Sequence, residues 1–268
     1  MNAVTRLSAA LMIVGLGAGA QASPYFIDDF TYQGSTPTSL PTYTAGFNAS
    51  RAGDDIDFIF NWPDDDIGAT YPLPGALRVN YGGSVGLDEQ TQIRNDTTLT
   101  TDVRVEVDAR SVYAAGNYMM GLILSESTDP WSSGKSLFFG RNDVQDRWEI
   151  RQATAPISAA YLSGGSTLLG TVNVGRNGWP TYDHLTIERA GGAFTFIING
   201  NTASGVGAVS GNFQYAGVLM GAYGLGGQSR FDNLQYTDLA VPEPGTGLLI
   251  LALAGGLLVR RRMGHPSV

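Results

Sequence analysis

The sequence has no cysteine, which excludes disulfides, thiol nucleophiles and thiolate-bound metal. Histidine is almost as scarce: of two, only His184 lies in the interior, too few for a zinc centre and poor material for a Ser-His-Asp triad. Basic side chains are also few. Between residues 23 and 240, 12 Lys or Arg stand against 23 Asp or Glu, a net charge near −11. That balance disfavours nucleic acid and anionic lipid as partners and leaves neutral glycans and cations. The interior shows no helical periodicity and no internal repeat.

What is present is sharpest at the ends. Arg6 supplies a short positive region, residues 7–20 an apolar stretch, and Ala20-Gln21-Ala22 the small-x-small pattern of a signal peptidase site. Residues 1–22 therefore read as a cleavable export signal, with Ser23 the mature N-terminus. At the other end, Val241-Pro242-Glu243-Pro244-Gly245 leads into an apolar run and then Arg260-Arg261-Arg262. As a helix at ~1.5 Å per residue, 244–259 reaches roughly 24 Å, a marginal span of a ~30 Å hydrocarbon core. The triple Arg stays cytoplasmic under the positive-inside rule, placing everything upstream outside.

This tripartite tail, residues 241–268 with its transmembrane helix at 245–259, resembles the PEP-CTERM sorting signal of Gram-negative bacteria. The resemblance covers about the last tenth of the chain. It implies that an exosortase-type sorting protease acts near Pro242, Glu243 and Pro244. It further implies a place at the cell surface or in the extracellular matrix, alongside exopolysaccharide and biofilm, with membrane contact through the tail alone.

Residues 23–240 are the right length for one all-β domain, and 36 Gly with normal apolar content signal many turns between short strands. In 101–110, Val103, Val105 and Val107 alternate with Arg104, Glu106 and Asp108, the pattern of a half-buried strand. Similar runs at 77–81, 119–125, 137–140, 147–153, 168–174, 184–189, 193–198, 218–223 and 230–239 predict ten to twelve strands. Ala190-Gly191-Gly192 and Asn199-Gly200 are hairpin turns. The expected fold is a two-sheet antiparallel sandwich or jelly roll.

The segment Tyr182-Asp183-His184-Leu185-Thr186-Ile187-Glu188-Arg189, continued by Phe194-Thr195-Phe196-Ile197-Ile198-Asn199-Gly200, resembles a hairpin of laminin-G-like and concanavalin-like jelly rolls. Ile27-Asp28-Asp29-Phe30 and Phe231-Asp232-Asn233-Leu234 are similar to the paired first and last strands of such domains. The resemblance implies a concanavalin-like sandwich, with Ca²⁺ near a sheet edge at Asp29 and Asp232. No other cofactor is implied.

Sugar recognition needs an apolar face and convergent polar groups. Of four Trp, Trp148 sits in an alternating strand and reads as core, whereas Trp62, Trp131 and Trp179 adjoin Pro at loops or strand ends; Trp131 and Trp179 are the candidate glycan contacts. The Asp54-Asp55-Ile56-Asp57 and Asp64-Asp65-Asp66 clusters offer hard oxygen ligands without EF-hand spacing, and read more simply as solvated turns. Glu106 and Asp108 imitate the closely spaced acids of jelly-roll glycanases but lie on an ordinary solvent face. No catalytic residue is assigned. The expected protein is a non-catalytic, surface-sorted sandwich that binds or organises polysaccharide. The competing readings are a jelly-roll glycoside hydrolase or lyase, marked by an opposed carboxylate pair, and a purely structural matrix protein, marked by a sheet face filled with side chains.

Overall fold

In a computed structural model of the chain, the described residues are 22–28, 43–47, 56–62, 76–81, 89–111, 119–127, 133–143, 145–155, 165–177, 181–222 and 228–240. The chain divides into two compact units, Pro24–Thr237 and one formed by Met1–Ser23 with Asp238–Val268; few residues of the second are described. The first unit is built from β-strands: β1 (Pro24–Asp28), β2 (Tyr43–Phe47), β3 (Ile56–Trp62), β4 (Ala76–Tyr81), β5 (Glu89–Asn95), β6 (Val103–Ser111), β7 (Met119–Ser125) and β8 (Lys135–Asn142). They continue with β9 (Arg147–Thr154), β10 (Thr167–Val172), β11 (Asp183–Ala190), β12 (Ala193–Ile198), β13 (Asn201–Thr202), β14 (Tyr215–Ala222) and β15 (Gln228–Asp238).

These strands form two sheets. One runs β13-β12-β11-β6-β15-β4-β3 with β1 added to β15, and the other β10-β9-β8-β7-β14-β5-β2. Every ladder whose register is resolved is antiparallel, as expected for a sandwich whose turns are short. The alternation in β6 works as the sequence predicts. Val103, Val105, Val107 and Ala109 are buried, while Arg104, Glu106 and Asp108 face outward. The Gly191-Gly192 turn joins β11 to β12 with both residues at positive φ, 55° and 80°, which glycine adopts without strain and which fits the twist of a two-residue hairpin. The first and last strands pair as expected, with Asp28 opposite Leu234.

Between the sheets lies one large core. Phe139 meets Phe196 edge-on at 5.5 Å between ring centroids, and Trp148 is fully buried and donates to the Val174 carbonyl at 3.0 Å. Tyr236 in β15 donates to the Ala216 carbonyl in β14 at 3.0 Å, a hydrogen bond from one sheet to the other. Each large apolar side chain so enclosed contributes about 1.5–3 kcal/mol. Arg189 fixes the far end of β11: its guanidinium donates to the carbonyls of Thr100, Thr101 and Phe213.

Among the described residues there are fifteen strands where the sequence predicts ten to twelve. The acidic stretch read as solvated turn is in part strand: Asp57 lies within β3 opposite Asn80, and Trp62 is the last residue of that strand. A second apolar cluster, Met119, Ile123, Phe138, Ala153 and Leu219, lies on the face of the seven-stranded sheet turned away from the core. Strand β7 is therefore buried at every position.

Candidate functional site

Three polar constellations stand out among the described residues. The first lies on the outer face of β6 and β11, where the register sets His184 opposite Asp108 and Thr186 opposite Glu106. His184 Nδ1 is 2.7 Å from Asp108 Oδ1, and Nε2 is 3.3 Å from Glu106 Oε1. Hydrogen bonds from Asp108 first and Glu106 second raise the imidazole to about 9, against a smaller opposing effect of burial. It is thus an imidazolium at neutral pH, donating to both carboxylates. Asn233, at φ 52° in β15, donates through Nδ2 to Asp108 Oδ2 at 2.9 Å. Beside it, the Arg110 guanidinium lies 4.9 Å from the Tyr182 ring centroid. Burial, with lesser effects of Asp232 and Asp108 and against the pull of Arg110, pushes the Tyr182 hydroxyl up to about 12.

The second constellation is Glu149 in β9, fully enclosed on the same sheet face as the second apolar cluster. Arg147 Nε donates to Oε1 at 2.8 Å and Arg151 Nε to Oε2 at 2.5 Å. Burial pushes this carboxyl up, but hydrogen bonds from Arg151, Asn142 and Arg147 outweigh it and hold the group below its ordinary range. Next to Glu149 in register stand Gly140 and then Gly121. A Cβ at Gly140 would collide with the Met120 carbonyl, the Phe138 ring and the Gly121 Cα, so no side chain fits there.

The third lies at one end of the sandwich, where the β8–β9 turn meets the segment before β11 and the β12–β13 turn. The Arg141 side chain is 1% exposed and stacks on Trp148 at 5.6 Å. Its Nε donates to Asp143 Oδ1 at 3.1 Å and its Nη2 to Asp146. Arg176 reaches the same Asp143 oxygen at 3.6 Å. Asp183 Oδ1 accepts from the Asn177 backbone and the Asn199 Nδ2, both at 2.8 Å. Asn177 Nδ2 closes the segment on the Tyr182 carbonyl, also at 2.8 Å. Burial raises both Asp143 and Asp183. Carboxylates, amides and guanidinia converge here in the mix that hydroxyl-rich ligands require.

Several predicted site residues lie outside the described residues: Trp131, Trp179, Asp29, Ala20, Pro242, Glu243, Pro244, Arg260, Arg261, Arg262 and the helix at 245–259. The anchors of the two tryptophan loops are described. Ser127 and Ser133 join through their hydroxyls at 2.9 Å near the start of β8. Asn177, beyond Arg176, belongs to the cluster at the end of β8. Asp232 is buried, with Oδ1 accepting from the Asn233 backbone at 2.7 Å. No group of three or more acidic or His side chains suited to a metal occurs among the described residues. No described helix is long and apolar enough to cross a membrane. Gly82-Gly83-Ser84-Val85-Gly86 has the spacing of a nucleophile elbow and is also outside the described residues.

The sequence did not single out Arg141, Asp143, Asn177 or Asp183. Arg141-Asn142-Asp143 reads as ordinary turn composition, and only the fold shows that the turn closes over Trp148.

No family model and no curated protein matches the chain. Solved structures do. LamAcat from Zobellia galactanivorans superposes with a TM-score of 0.54 at 11% identity, over 81% of this chain and 98% of its own. A structure reported with the endo-acting O-glycanases that human gut microbiota express to initiate mucin breakdown gives 0.53 at 12%, over 81% and 100%. The Ca²⁺-bound VIP36 exoplasmic/lumenal domain gives 0.52 at 12%, over 82% and 92%. At such identities the likeness is one of fold: the described domain is a concanavalin-like β-sandwich, an architecture these structures share.

Proposed function

We propose that this is an exported, non-catalytic carbohydrate-binding sandwich that binds or organises exopolysaccharide of the cell surface or biofilm matrix. In this reading the signal at 1–22 is removed, and an exosortase-type protease sorts the chain through its PEP-CTERM tail. The observation that carries it is the convergence of Asp143, Asp183, Asn177, Asn199, Arg141 and Arg176 at one end of the sandwich. The VIP36 domain, crystallised in a Ca²⁺/Man-bound form, supports both sugar and Ca²⁺ as ligands; Asp29 and Asp232 are the proposed ion ligands.

The non-catalytic half of the reading rests on chemistry. A glycoside hydrolase needs one carboxyl free to give a proton and another free to attack or to activate water. Among the described acids, Glu106 and Asp108 both face one imidazolium, Glu149 is clamped by two arginines, Asp143 is held by Arg141 and Arg176, and Asp183 accepts from Asn177 and Asn199. A purely structural role is the second reading, favoured by the filled face at Phe138 and Gly140. A glycan array probed with the mature chain, with Ca²⁺ and with chelator, separates them. Binding supports the proposal, and its loss on chelation assigns the ion a part; an array without signal leaves the structural reading.

A further inference from the structure

We propose that Arg141 and Asp143 form a hydroxyl-reading pair, in which an Arg141 N–H donates to, and an Asp143 carboxylate oxygen accepts from, one hydroxyl of a bound sugar. This rests on the carbohydrate-binding reading above and gives it an address. Two atoms point to it. Arg141 Nη1 and Asp143 Oδ2 are enclosed and have no hydrogen-bond partner, although the two side chains are already joined through Nε and Oδ1. Their side chains are 1% and 10% exposed, so neither orphan faces bulk water. A buried donor and a buried acceptor left unmade each carry the desolvation cost of the group, and natural structures rarely leave them so.

The identity of the missing partner follows from the charges. A cation that suits the Asp143 oxygen is repelled by the guanidinia of Arg141 and Arg176, and an anion that suits Arg141 is repelled by Asp143 and Asp146. A neutral group that both accepts and donates satisfies the two atoms together, and a hydroxyl is such a group. At the adjoining turn Asp146 holds Arg141 from a side chain 91% exposed and a backbone at φ 49°, uncommon for a residue other than glycine. Water offers the same chemistry as a sugar hydroxyl, and the experiment separates the two.

The mature full-length chain in detergent is titrated with the methyl glycosides of glucose, galactose, mannose and N-acetylglucosamine. Affinity is read by calorimetry and the Arg141 Nε–H resonance by NMR. The glycoside that binds best is expected to move that resonance. Removing one of its hydroxyls, or making Asp143→Asn, is expected to weaken binding about 10-fold to 100-fold, and the two losses do not add. The resonance and the deoxy-glycoside series use the native chain, so the test survives if the variant folds poorly. A glycoside that binds without moving Arg141, and equally well to Asp143→Asn, overturns the proposal in favour of internal water while leaving carbohydrate binding intact. If none of the four binds, the hydroxyl-reading pair falls, and the glycan array decides carbohydrate binding by itself.

Discussion

His184 sits between two carboxylates on an outer sheet face, and its charge is part of what holds β6 to β11. Its ordinary value of 6.5 is raised to about 9, so the stabilisation is fully present below pH 6.5 and is lost as pH rises through 9. The imidazole is 43% exposed, which screens the effect and keeps it small. Thermal melts from pH 6 to 10 should show a modest decline that His184→Gln removes; an identical decline in the variant would contradict the account. Glu149 is the harsher case, because its loss leaves two partly enclosed arginines facing each other. Glu149→Ala should cost about 3 kcal/mol in urea unfolding. Neither role can be read along the chain. The Val103-Val105-Val107 alternation announces that Glu106 and Asp108 face outward, but only the pairing of β6 with β11 puts His184 between them.

At the scale of elements, the turns are the most legible part of the fold and the polar strands the least. Gly191-Gly192 and Asn199-Gly200 were visible because positive φ selects those residues, and both do turn the chain. Asn199 adds what composition does not show: at φ 48°, its side chain accepts from the His184 backbone at 2.9 Å and donates to Asp183. Asn199→Ala should therefore cost about 2 kcal/mol, and Asn199→Gly less, since glycine keeps the backbone and loses only the hydrogen bonds. Strand β5, Glu-Gln-Thr-Gln-Ile-Arg-Asn, has one apolar residue in seven and so carries no period, yet it pairs with both β14 and β2. Glycines in β7 and β8 hide another feature. Gly140→Ala should be strongly destabilising, as the added methyl meets the Phe138 ring and the Met120 carbonyl; a variant that melts like the native chain would mean the face is not packed.

For the whole molecule, sequence and fold inform different halves of the proposal. The ends speak of export and sorting in short linear patterns. The sandwich speaks of sugar only through where its polar groups meet, a property of three turns far apart in the chain. If the tail is read by a sorting protease, replacing Pro242, Glu243 and Pro244 with Ala should hold the protein in the inner-membrane fraction, whereas the native chain reaches the surface or medium. The central claim is binding without hydrolysis, and one measurement tests it most directly. The mature chain is incubated with the polysaccharide it retains best on an affinity gel, and reducing ends are counted over many hours. The account predicts retention with no rise above the protein-free control. A steady release of reducing ends would contradict it and make this sandwich a glycanase.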